Sequence, residues 1–332
     1  MSAHAREGII IRAMTVVSRR AFGKAIIAGV PLAAAFRTYA AQIRSGVSTF
    51  SFRDFPRITG RDNVDDVVRA LQTVQATAIE LSLQHVEPAP PSVAPTMGGS
   101  AAYPKRIVLT PEQVAATNAD ARDALRRWRL SASDRVFADA RRKFSGAGIT
   151  LQAAAVAFND SFADEEIDAV LRQCVALGVT TVSSPLTMAS ARRLVPFIEK
   201  HRLSIAIHNQ ADGGKDGAID TARIPEALAL SPRFTLKLDI GNLTASNCDA
   251  VDELRKHRDR VSFVLVRDRL RNGGASQPFG EGDTPIRPVI RLLESSPSIP
   301  ALIEYDYLGL RSPVEEVRIC LDYVRAANLG AF

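Results

Sequence analysis

Glu80, His208, Asp239 and Glu304 each sit at the end of a short apolar run: "AIELS", "LSIAIH", "FTLKLD" and "PALIEY". Carboxylates converging with one imidazole form a donor set that can hold a divalent cation through oxygen and nitrogen. The same groups can instead serve as acid and base, moving a proton next to a carbonyl. Any one of them alone at a strand end is more often a cap or a loop anchor, but four on four different strands point to a shared site. Asn209, Arg267 and Asp268 adjoin these positions and are candidates for contact with substrate, the arginine offering a fixed fork to substrate oxygens. His85, just beyond the second apolar run, is a further substrate-binding candidate.

Such residues need strands to converge, and the chain supplies them. From Gly46 onward, short apolar runs alternate with amphipathic stretches such as "NVDDVVRALQTV", where Val64, Val67, Val68 and Leu71 recur at helical spacing. About eight strand–helix pairs follow one another with no change of composition. Strands apolar throughout and joined by helical crossovers predict a parallel sheet covered on both faces. The reading is an α/β fold that closes as a (β/α)8 TIM barrel over residues 42–332, whose active site would gather at the C-terminal strand ends. A doubly wound open sheet is the alternative, but no GxGxxG follows the first strand. Polar residues at the predicted strand ends include Arg53, Asp54, Ser183, Ser184 and Asp306 beside those already named. The run "RRWR" (residues 126–129) reads as a solvated helix face with Trp128 packed inward. "FGEGDTP" (residues 279–285) reads as a lid or as a helix cap built on Asp283.

Residues 1–40 read as an address. "SRRAFGK" precedes the apolar run "AIIAGVPLAAA", too short to span a membrane, and Arg19–Arg20 with Phe22 and Lys24 resembles a bacterial twin-arginine signal. The expectation is export to the periplasm through the twin-arginine machinery, with cleavage after Ala40 or Ala41. Translation can also begin at Met14. Of the formal charge of +6, most is local: residues 1–40 hold six Lys/Arg and one acid, leaving 36 basic and 35 acidic residues beyond them. A near-neutral body gives no electrostatic reason to bind nucleic acid. The five histidines are too few, and too scattered, for a multi-zinc nuclease. Three cysteines without a CxxC read as small buried hydrophobes.

Taken together, "AIEL", "FNDSFADEEID", "AIHNQ", "LDIGNLTA", "VRDR", "GEGDTPI" and "IEYDY" resemble the sugar phosphate isomerase/epimerase family of xylose-isomerase-like TIM barrels, over about residues 46–324. The match is best to bacterial members bearing a twin-arginine signal. The resemblance implies a sugar or sugar derivative as substrate and a divalent metal, commonly Mn, Mg, Co or Zn, at the barrel mouth. His208, Asp239 and Glu304 fall on ligand positions, and Glu80 and Glu304 on acid/base positions for isomerase, epimerase or lyase chemistry through an enediolate. Three positions depart from the family pattern. Leu265 stands where a metal-binding histidine is usual, Gln210 replaces the second imidazole of His-Asn-His, and Asn242 stands where Gly-His is often seen. Leucine has no lone pair to donate, so three outcomes stay open: an enzyme with altered metal ligands, a metal-free enzyme, and a barrel that binds sugar without turnover.

Overall fold

The computed structural model describes residues 44–57, 62–88, 97–100, 103–106, 111–211 and 217–328. The segment expected as a leader lies outside them. No helix among the described residues is long and apolar enough to cross a membrane.

Eight parallel strands close into a barrel: β1 (Ser45–Ser48), β2 (Ala78–Ser82), β3 (Thr150–Ala155), β4 (Thr181–Ser184), β5 (Ser204–His208), β6 (Phe234–Asp239), β7 (Val261–Val266) and β8 (Ala301–Ile303). Each pairs with its sequence neighbours, and β8 closes the ring on β1, Ser45 to Val47 lying opposite Ala301 to Ile303. Closure leaves no unpaired edge. The expected fold class is thus the observed one.

Ten helices are described: α1 (Asn63–Thr73), α2 (Pro111–Ser131), α3 (Asp134–Gly146), α4 (Asp164–Leu177), α5 (Met188–His201), α6 (Ile224–Ala229), α7 (Ile240–Ala245), α8 (Ala250–His257), α9 (Ile286–Glu294) and α10 (Pro313–Asn328). Local chemistry sets several of their starts. Asp62 accepts a hydrogen bond from Val64 N at the start of α1, and Thr187 and Ser190 form a reciprocal capping box on α5. Gly178, at φ +83°, ends α4 in the left-handed region that favours glycine.

Alternation along the strands separates two cores. Phe234, Leu236 and Leu238 of β6, like Ile205 and Ile207 of β5, pack outward into the main core under the helices. The opposite face points into the barrel. There Ala153, Ala206, Phe263, Leu265 and Leu302 form a separate apolar cluster. Leu265, at the position where the resemblance implies a metal-binding histidine, is a fully buried part of this plug.

Candidate active site

By the same period of two, Thr235, Lys237 and Asp239 share the inner face of β6, and Ser204, Ala206 and His208 that of β5. A cavity of about 640 Å³ opens at the C-terminal mouth. Glu80, Ser183, His208, Gln210, Lys237, Asn242, Arg267, Arg269, Glu304 and Asp306 contribute to its walls. This volume is ordinary for a small-molecule site.

Two buried networks line it. In the first, Glu80 on β2 receives Lys237 Nζ (2.8 Å), Ser48 Oγ (2.7 Å) and the Ser183 hydroxyl. Burial pushes the Glu80 carboxyl upward, but the Lys237 charge and these hydrogen bonds outweigh it and hold it below the usual carboxylate range. Strand register is irregular at Ile79/Glu80 and at Leu236/Lys237, immediately before the two members of this ion pair. Such irregularities re-aim side chains beside active sites. Ser48 Oγ also lies 2.9 Å from Glu304 Oε2 and so joins the first strand to the eighth.

The second network is centred on Asp239. Its Oδ1 accepts from Asn242 N (2.9 Å), and its Oδ2 accepts from Arg267 Nη2 (2.5 Å) and His208 Nε2 (2.9 Å). Against the upward push of burial, Arg267 and His208 hold the Asp239 carboxyl far below its ordinary value. An ionised carboxylate only accepts, so the His208 proton is assigned to Nε2. Burial, reinforced by the charges of Lys237 and Arg267, lowers the His208 pKa despite the pull of Asp239. The imidazole is therefore neutral at pH 7, with a lone pair on Nδ1. Arg267 also reaches Asn242 Oδ1 (2.6 Å) and, through Nη1, Asp306; Nη1 lies 3.9 Å from Glu304 Oε1.

The structure thus brings Glu80, His208, Asp239, Arg267 and Glu304 together. It does not assemble His208, Asp239 and Glu304 as a metal centre: among the described residues no group of three His, Cys, Asp or Glu side chains could hold an ion. The reason is physical. The Arg267 guanidinium lies between Asp239 and Glu304, where it already neutralises the carboxylates a cation would need. At an effective dielectric of about 20, unit charges about 4 Å apart interact by roughly 4 kcal/mol, and a dication doubles the repulsion. The donor set present does not fit a divalent metal.

Three expected substrate contacts are placed elsewhere. His85 is buried, with Nε2 2.8 Å from Thr49 O and Nδ1 3.1 Å from Asn63 Nδ2, and it anchors the turn after β2. Asn209 is spent on backbone: Oδ1 accepts from Asp239 N (2.8 Å) and Nδ2 donates to Asp239 O (3.2 Å), clamping β5 to β6. Asp268 accepts from the amides of Gly280 (2.7 Å), Gly282 (3.1 Å) and Thr284 (3.1 Å), and so shapes the glycine-rich loop. That loop is not capped by Asp283, which accepts from Arg271 N instead, and Pro285 stands at the N-cap of α9.

Lys237 was not singled out by sequence reasoning, although a lysine between Leu236 and Leu238 on the inward period of an apolar strand is a usable signal. Ser48 was missed because β1 ends there; "TFSF" is a 3-10 turn, so Arg53 and Asp54 are not strand-end residues. Within "RRWR", Trp128 packs against Phe137, but Arg129 is buried on Glu87 (2.7 Å) and Glu166 (2.9 Å) and reaches the cavity wall.

No protein-family model and no curated protein matches the chain. Solved structures do. A xylose isomerase domain protein from Alicyclobacillus acidocaldarius superposes with a TM-score of 0.56 at 12% identity, covering 86% of this chain and 100% of the other. A sugar phosphate isomerase/epimerase from Parabacteroides distasonis gives 0.51 at 13%, covering 86% and 94%. The IOLI protein with a zinc atom bound gives 0.56 at 11%, covering 87% and 99%. Identities this low establish the fold alone. The chain is a (β/α)8 barrel of the xylose-isomerase-like fold, with sugar phosphate isomerase/epimerase proteins among its structural neighbours.

Proposed function

We propose that this barrel is a sugar-processing enzyme that moves a proton at a carbon next to a carbonyl, in an isomerase, epimerase or lyase reaction. One observation carries the reading. Glu304 and His208 line a single cavity, with Asp239 buried behind His208, and the Arg267 guanidinium lies between Asp239 and Glu304. Glu304 has one oxygen tied to Ser48, while Oε1 accepts no hydrogen bond among the described residues. That oxygen is the base that takes the proton from carbon. Neutral His208, oriented by Asp239, exchanges a proton with the neighbouring substrate oxygen. Glu80 acts as the counter-ion that holds Lys237, since its own carboxyl is kept ionised.

The substrate is read as a neutral sugar or oxidised sugar. Lys237 is paired with Glu80, Arg267 with Asp239 and Asp306, and Arg122 and Arg129 with Glu166. Each of these charges is offset by a buried or half-buried carboxylate, which favours a neutral sugar over a phosphate dianion even where an N–H is left over. Export belongs to the same proposal and rests on the Arg19–Arg20 motif; substitution of both by Lys is expected to leave the protein in the cytoplasm on cell fractionation.

A second reading, a barrel that binds sugar without turnover, is favoured by Leu265 being part of an apolar plug. A panel of neutral aldoses, ketoses and keto-glycosides separates the two, with binding followed by calorimetry and products by NMR. Glu304→Gln is expected to cut turnover by about 10²–10⁴-fold, the usual worth of a general base, and to leave affinity within a few fold. Turnover that survives in Glu304→Gln contradicts the assignment.

A further inference from the structure

Two side-chain cations meet the carboxylates at the barrel mouth. Arg267 leaves the end of β7 and Lys237 stands two residues before the end of β6; both are nearly buried, and both line the cavity with Glu304 and His208. Neither exhausts its donors. Arg267 Nη2 is satisfied by Asp239 and Asn242, but Nη1 carries two N–H groups and has one acceptor at hydrogen-bond distance, Asp306, among the described residues. Among the described residues Lys237 Nζ donates to Glu80 Oε2 alone. A ring face, that of Phe263, lies 6.0 Å from the ammonium. Fixed N–H donors with positive charge, held in a cavity beside a base, are what a developing oxyanion requires.

We propose that Arg267 and Lys237 together take the place of a divalent cation, binding the substrate's carbonyl oxygen and adjacent hydroxyl so that the reaction proceeds without a metal. This rests on the sugar-processing reading above. In the step itself, the C–H bond next to the carbonyl breaks and its proton passes to Glu304 Oε1. The freed electron pair forms the carbon–carbon double bond of an enediolate, and the carbonyl π pair moves onto oxygen, where the spare N–H groups of Arg267 and Lys237 stabilise it. Return of a proton to either carbon completes the cycle, with no oxidant or reductant consumed. The position of Leu265 agrees with this arrangement, because a side chain in the apolar plug below the mouth has no ligand to supply.

The test uses the full chain purified without chelator, analysed for metal content and titrated with Mn²⁺ and with Zn²⁺ by calorimetry. The expected result is no stoichiometric ion, no saturable binding, and turnover unchanged by EDTA. Arg267→Ala removes the charge that repels a cation, and is expected to bind Mn²⁺ at least about tenfold more tightly than the native chain. Arg267→Met and Lys237→Met are each expected to lose about 10²–10³-fold in kcat, the worth of one oxyanion donor. Arg267→Lys keeps the charge against buried Asp239, so it remains folded if Arg267→Met does not; it is expected to keep more turnover than Arg267→Met but less than the native chain. One tightly held ion per chain, with turnover abolished by EDTA and restored by Mn²⁺ or Zn²⁺, overturns the inference and leaves the sugar reading standing. Sugar binding with no turnover, with or without added metal, overturns both.

Discussion

His208 illustrates how much a single residue's role depends on its partners. Its place at the end of an apolar run was visible in the sequence, and its pairing with Asp239 was not, because 31 residues separate them. The pairing fixes the tautomer and leaves Nδ1 for proton transfer. The imidazole pKa is lowered chiefly by burial, so the active neutral form persists below the ordinary histidine value of about 6.5. The log kcat/KM profile should therefore be flat through pH 7 and fall only on the acid side of that value; a fall centred above it would contradict the assignment. His85 makes a separate prediction about stability. Burial pushes it down to about 4, so the unfolded state binds the proton more readily between about pH 6.5 and 4. Stability falls as pH falls through that window, by about 3 kcal/mol for a shift of this size. His85→Gln should flatten that part of the Tm–pH curve, although it also weakens the Thr49 anchor.

Elements explain which strand-end residues reach the cavity. Helix and strand order could be read from periodicity, since strands of three to six residues and capped helices leave clear patterns. The last residue of a strand could not. β1 stops at Ser48, and the next four residues turn away as a 3-10 helix, so the first strand delivers a hydroxyl where arginine and aspartate were expected. Gly46 permits this strand to lie close to β2, because a Cβ there would meet Ala78 O at 2.1 Å. The loop after β7 depends on one carboxylate. A Cβ on Gly282 would sit 2.2 Å from Asp268 Oδ1, so Gly282→Ala must displace the group that receives three loop amides. Asp268→Ala strands the same amides at about 1–3 kcal/mol for each that stays buried without a partner. Both variants should lower Tm by several degrees in a thermal melt, and an unchanged Tm in either would deny the loop this anchor.

At the scale of the molecule, the barrel was readable because eight similar units follow one another. The charge balance of its mouth was not, because it is made by pairs remote in sequence. Glu80 and Lys237 lie 157 residues apart, and Arg267 is 28 residues from Asp239 and 39 from Asp306. A reading of strand ends finds the carboxylates, since each closes its run, but assigns their charge to a metal until the cations between them are placed. Removal of one member of these pairs leaves an uncompensated buried charge, at a cost of about 3–5 kcal/mol. Lys237→Met should therefore lose stability in chemical denaturation, whereas Lys237→Met combined with Glu80→Gln should recover part of it; no recovery would mean that the two do not act as a pair.

Hydrogen exchange observes proton transfer beside a carbonyl without knowledge of the product. The purified chain is incubated in D₂O with each sugar that it binds, and ¹H NMR follows the carbon next to the carbonyl. Deuterium entering that position with the native chain, and at least about 100-fold more slowly with Glu304→Gln, is the predicted result. Tight binding with no deuterium incorporation by either protein would contradict it.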